Sequence, residues 1–130
     1  MDSAAKAIEV LAGLQFLVIG LSHLLQPRAW VEFFVLLREK GDVGVFANSF
    51  LSLWFGSLVV VFHNVWTGLA VVLTVIGWAQ LVKALVGFVF PRVSMRGLQR
   101  VSAERAWEFQ VAGVLFLILS GLMAYLVARG

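Results

Sequence analysis

Residues 77–92 read GWAQLVKALVGFVFPR, an apolar run of helical length that carries one lysine in its middle and stops at a proline. A charged side chain far inside such a run is costly in hydrocarbon and marks a position to explain. The run extends back to residue 65, and a bilayer core requires about 20 mostly apolar residues per helix. Residues 65–90 therefore read as one membrane span, and Lys83 becomes the question that the rest of the chain must answer.

Three further runs have the same character, at residues 6–26, 43–63 and 104–127. Hydrophobic residues make up 62% of the chain and charged residues 13%, against roughly 45–50% and about 25% in soluble domains. The mean hydropathy of +0.98 points the same way. The expected fold is an all-α bundle of four transmembrane helices, with residues 1–130 forming a single integral membrane domain. Asp2 and Glu9 spoil the basic start of a secretory signal, and no small-residue cleavage pattern precedes Pro27, so the first span reads as retained.

Pro27 and Pro91 end the first and third spans, while Gly41-Asp42 and Ser102 offer a break and caps before the second and fourth. Between the second and third spans the sequence leaves almost no loop, and Asn64 is placed to cap a helix beginning at Val65. Those two spans should form a tight antiparallel hairpin.

An internal repeat also emerges. Residues 13–28, GLQFLVIGLSHLLQPR, align without gaps on residues 77–92 at an offset of 64. Gly13/Gly77, Leu17/Leu81, Val18/Val82, Leu21/Leu85 and the terminal Pro-Arg coincide, and Gly56-Ser57-Leu58 falls on Ser120-Gly121-Leu122. Two spans per unit imply tandem helical hairpins related by an axis along the membrane normal, which disfavours an inverted-repeat transporter. Orientation follows from the basic residues. Arg28, Arg38, Lys40, Arg92, Arg96, Arg100 and Arg105 flank one side, and only Lys6 and Arg129 flank the other. Seven against two places the first and third loops in the cytoplasm and both termini outside.

The first loop repeats Trp30, Phe33, Phe34 and Leu37 at helical spacing with charges between them, which suits a short helix lying in the interface. Arg92, Arg96 and Arg100 form an i, i+4, i+8 row read as an anchoring face on acidic lipid. The net charge of +3 is therefore assigned to membrane lipid as the partner, and not to nucleic acid.

Lys83 lies seven residues before Phe90, about 10 Å inside the end of its span. It can snorkel to the interface, or it can turn inward with Gln80 and Gly87, which share its face. Polar and small residues on one face normally mark helix contact, so the expectation is an inward lysine bonded to Asn48 or Gln80. Asn48, Ser52, Gly56 and His63 supply the facing stripe on the second span, and Glu9, Gly13, Phe16, Gly20 and His23 form a heptad face on the first. The candidate polar stripe is thus Lys83, Asn48, Gln80, His63, Asn64 and Glu9.

No catalytic constellation is assembled by this pattern, and the expectation is a protein that is not an enzyme. Cysteine is absent, which removes thiolate metal sites and cysteine nucleophiles. His23 lies near the cytoplasmic end of the first span and His63 near the outer end of the second, so most of the bilayer separates them and a bis-histidine haem is excluded within one chain. His63 with Glu9 gives two ligands, too few for a metal assignment, and neither metal nor cofactor is expected.

Residues 63–91, HNVWTGLAVVLTVIGWAQLVKALVGFVFP, resemble a pattern found in small uncharacterised bacterial four-span membrane proteins. The features are His63, Asn64, Trp66, Gly77, Trp78, Lys83 and Pro91. The GLSHLLQP ending of the first span extends the likeness, and the whole is broadly similar to DoxX-like proteins. The resemblance implies a bacterial inner membrane location and brings no activity with it. The function expected is that of a non-enzymatic accessory or self-associating membrane component, a homo-oligomer or the companion of another membrane protein. The alternative is a transporter or channel for a proton, ion or small solute along the polar stripe.

Overall fold

The computed structural model describes residues 2–130, and all regular structure in them is helical. Six α-helices follow in order: α1 Ser3–Leu25, α2 Pro27–Glu39, α3 Asp42–Phe62, α4 Val71–Val89, α5 Pro91–Gln99 and α6 Ala106–Arg129. Single 3₁₀ turns, Gly68–Ala70 and Ala103–Arg105, lead into α4 and α6. Four helical segments, Ser3–Leu25, Asp42–Phe62, Gly68–Val89 and Ala103–Arg129, are long and apolar enough to cross a membrane. The two remaining helices, α2 and α5, sit at the end of the bundle opposite the termini.

Each boundary has a local cause. Asp2 accepts a hydrogen bond from the Ala5 N–H at 2.7 Å and caps α1. Pro27 and Pro91 occupy the first position of α2 and α5, where a missing N–H costs nothing. The residues before them are forced out of the helical region. Gln26 adopts φ −128°, ψ 51° and Phe90 φ −129°, ψ 68°, two nearly identical bends 64 residues apart. Gly41, at φ 62°, turns the chain from α2 into α3 through a backbone region that favours glycine.

The hairpin between the second and third spans departs from expectation. Asn64 does not cap a helix at Val65. Residues 63–67 form a loop, Thr67 is extended ahead of the 3₁₀ turn, and α4 proper starts at Val71. The Thr74 hydroxyl binds the carbonyls of His63 and Val65, so backbone acceptors that a continuous hairpin would solvate elsewhere are satisfied from inside α4. Ser102 likewise makes no side-chain cap, although its backbone begins the turn into α6.

The four long apolar helices associate as two close pairs, α1 with α6 and α3 with α4. In the first pair a Cβ on Gly113 would lie 2.7 Å from the Gly20 carbonyl oxygen, and in the second a Cβ on Gly56 would lie 2.8 Å from that of Gly77. Only glycine permits such backbone approach. Ser120 Oγ donates to the Gly13 carbonyl at 2.9 Å. The two pairs meet over Ile8, Ala12, Phe16, Val59, Leu73 and Met123, with Phe16 edge-on to Phe55 and stacked on Phe116, each at 5.9 Å. A smaller cluster of Leu37, Val45 and Leu98 docks α2 and α5 onto α3.

Several contacts recur at the sequence offset of 64. Gly13 faces Met123 as Gly77 faces Val59, and Gly113 faces His23 as Ser49 faces Gly87. Outward, these helices carry large apolar side chains, among them Leu14, Trp54 and Leu115 at 59%, 67% and 55% exposure.

Candidate functional site

The polar stripe of the sequence resolves into two separate places. At the end bearing the termini, α1 supplies Glu9, the last residue after α3 supplies His63, and the first turn of α4 supplies Thr74. All three are fully buried, inside the apolar cluster where the helix pairs meet.

His63 Nε2 and Glu9 Oε2 lie 2.8 Å apart, and His63 Nδ1 is 3.2 Å from Thr74 Oγ1. Thr74 Oγ1 is also 2.7 Å from the Val65 carbonyl oxygen and 2.9 Å from that of His63. Both carbonyls can only accept, so the single hydroxyl proton is committed to them. The Val65 N–H donates to the same hydroxyl oxygen at 3.2 Å. His63 Nδ1 therefore meets an oxygen acting as acceptor and must itself carry a proton. Nε2 then faces Glu9 in one of two ways, as an imidazolium beside a carboxylate or as a neutral ring accepting from a carboxyl O–H. In both arrangements one proton is shared across the 2.8 Å contact and the pair is neutral overall, which is what burial among apolar side chains demands. Glu9 Oε1 is buried with no hydrogen-bond partner among the described residues. Beside the knot, a cleft of about 380 Å³ between α1 and α6 is lined by Glu9, Gly13, Leu17, Ser120 and Ala124.

Asn64 belongs to the surface next to this knot. Its Oδ1 accepts from Trp66 Nε1 at 2.9 Å and from Trp78 Nε1 at 3.2 Å, pinning two exposed indoles at the loop. Sequence reading paired Glu9 with His63 only as a weak ligand set and missed Thr74 altogether. A lone hydroxyl in VVLTVIGW was the signal, three residues before Gly77 and so on its close-packed face.

At the opposite end the expected inward hydrogen bond of Lys83 is absent. Among the described residues, nothing bonds Lys83 to Asn48 or to Gln80, and Lys83 is exposed while the other two are half-buried. The physical reason is the close seam between α3 and α4. Gly56 against Gly77 and Ser49 against Gly87 bring the helix faces into contact and leave Lys83 beside that contact, not within it. Lys83 and Asn48 instead share the wall of a cavity of about 400 Å³ beneath α5.

Arg38 is a second residue whose role was not legible. Its Nη1 donates to the carbonyls of Leu98 at 3.2 Å and Val101 at 2.9 Å, closing the unsatisfied end of α5 from α2. Arg38→Ala is expected to cost about 1.5–3 kcal/mol, the usual range for hydrogen bonds to a charged group. It should also speed amide exchange over residues 91–101 while leaving α4 protected. Unchanged exchange there would remove this role. His23 bonds the Ile19 carbonyl through Nδ1 at 2.8 Å and stacks on Trp30 at 4.1 Å, and Trp30 Nε1 donates to Ser22 Oγ at 2.8 Å. This stack fastens α2 to α1.

The basic row divides. Arg92 and Arg96 project from α5 and are exposed, whereas Arg100 lies past its end and pairs with Glu108 at 3.0 Å. Arg100 is thus engaged by α6. No group of three or more His, Cys, Asp or Glu able to hold a metal occurs among the described residues. Comparison with protein-family models, curated proteins and solved structures gave no match to this chain.

Proposed function

We propose that this chain is a multi-pass protein of the bacterial inner membrane, acting as a non-enzymatic component that associates with a second copy of itself or with another membrane protein. The observation that carries the reading is the closure of the interior. Glu9, His63 and Thr74 are fully buried and bonded to one another. Between them and the Lys83–Asn48 cavity lie apolar core residues such as Phe16 and Val59 and the Gly56–Gly77 seam, which supports a packed interior over a path for a solute. The outward apolar side chains suit lipid and helix partners, since a soluble monomer rarely exposes contiguous apolar patches above a few hundred Å².

The contacts recurring 64 residues apart, together with the matched bends at Gln26 and Phe90, support tandem duplication of a two-span unit. The likeness of residues 63–91 to small bacterial four-span proteins, including the DoxX-like group, supports the same placement. Native mass spectrometry in mild detergent tests the association. A strictly monomeric species at high protein concentration, with nothing co-purifying, would overturn it. Proton, ion or small-solute flux above that of empty liposomes would favour the transport alternative.

Both termini are placed outside the cytoplasm on the basic-residue bias. A cysteine at Gln99, exposed at the end of α5, should react with impermeant maleimide only after cells are opened. One at Ser3, exposed at the start of α1, should react in intact cells. The opposite pattern would reverse the orientation.

A further inference from the structure

We infer that the cavity beneath α5 is a binding site for the phosphate headgroup of an anionic phospholipid. Its volume is about 400 Å³, and its polar residues are Asn48, Ser49, Lys83 and Ser94. Lys83 offers an ammonium, Asn48 an amide and Ser94 a hydroxyl, and none of the three has a hydrogen-bond or ion-pair partner among the described residues. Ser49 is committed to the Val45 carbonyl at 2.8 Å, so its oxygen remains only as an acceptor. No carboxylate lines the cavity. One cation and neutral donors without a counter-anion form a complement to a negative oxygen-rich group.

The apolar part of the lining selects a lipid over a free anion. Phe34, Val93, Leu98, Val101 and Phe109 make up that part of the lining, and apolar side chains give nothing to hydrated inorganic phosphate but can accommodate the first methylenes of an acyl chain. Depth agrees as well. Lys83 stands six residues before the end of α4, about 9 Å inside the helix end, where a lysine reaches towards headgroups instead of water. Arg92 and Arg96 on the exposed side of α5 raise the local concentration of anionic lipid. Gly97 lines the cavity, and a Cβ there would meet nothing within 4 Å, so a larger side chain can be introduced into the lining without a clash.

The inference rests on the membrane reading above and is independent of what the protein associates with. The test uses the full chain in mild detergent, with native mass spectrometry to count retained phosphatidylglycerol and phosphatidylcholine supplied at equal concentration. Wild type should retain one phosphatidylglycerol with about tenfold preference, the equivalent of one well-placed charge contact of about 1.4 kcal/mol. Lys83→Met and Gly97→Leu should each abolish the preference. Lys83→Arg, and Lys6→Met at the far end of the bundle, should keep it. A folded Lys83→Met variant with undiminished preference would overturn the proposal, as would equal retention of the two lipids by wild type. Should Lys83→Met fail to fold, Gly97→Leu decides alone by the same criterion. Displacement of the lipid by millimolar inorganic phosphate would reassign the site to soluble anions and defeat the lipid assignment. Recovery of the protein in aqueous buffer without detergent would instead sink the membrane reading itself.

Discussion

His63→Ala is expected to lower stability by about 3–5 kcal/mol, because removing one member of a buried pair leaves the other uncompensated. Glu9 would keep a buried carboxyl group with both oxygens unpartnered, where at present only Oε1 lacks a bond. Thr74 would lose the imidazole that faces it, and the apolar cluster around Phe16 and Met123 would gain a void. Glu9→Ala should cost a similar amount through the stranded imidazole. The informative variant is the double replacement Glu9→Met with His63→Leu. Well-packed apolar residues in place of a buried pair are often neutral or stabilising, so this protein should recover most of the loss. Thermal unfolding of wild type, Glu9→Met, His63→Leu and the double variant in one detergent measures the cycle. Strictly additive losses would show that Glu9 and His63 do not act as a unit.

Gly56→Val should be comparably damaging for a different reason. A Cβ at residue 56 would stand 2.7 Å from the Leu81 backbone nitrogen and 2.8 Å from the Gly77 carbonyl oxygen. Those are main-chain atoms of α4 and cannot rotate away, so the helices must separate along their whole seam. Overpacking costs roughly 1–3 kcal/mol where side chains can adjust, and occasionally more; the upper end is expected here. Gly121→Ala is the matched control. Nothing lies within 4 Å of its Cβ, and alanine favours the helix by up to about 1 kcal/mol. Equal unfolding temperatures for Gly56→Val and wild type would mean that α3 and α4 are not held by this contact.

These two sites are the places where polar and small residues meet across the bundle, and they differ in how far the sequence disclosed them. Gly56 stood out as part of a small-residue stripe with Ser52, since helical spacing puts the two on one face, whereas Gly77 stood out only as the repeat partner of Gly13. Glu9 and His63 were each visible as polar residues near one end. Their bond, fully buried and joining residues 54 apart, depends on how α1 leans against the end of α3. No local rule carries that information. The same holds for Arg38, whose carbonyl partners lie 60 or more residues away.

The four long apolar helices were legible before any folding, because length and hydropathy are properties of contiguous residues. So were the breaks at Pro27 and Pro91, because a proline restricts the residue before it whatever surrounds it. The tertiary structure decided the pairing of α1 with α6 and α3 with α4, since every apolar face offers the same non-directional attraction and only glycine-mediated fit distinguishes partners. It decided that α4 begins at Val71 and not at Val65, because the Thr74 hydroxyl holds the loop carbonyls where an Asn64 cap would have held the amides. And it decided that Lys83 lines a cavity under α5 with no bond to Asn48 or Gln80. Helical periodicity places a side chain on a face, but the inclination and closeness of the neighbouring helix determine what that face meets.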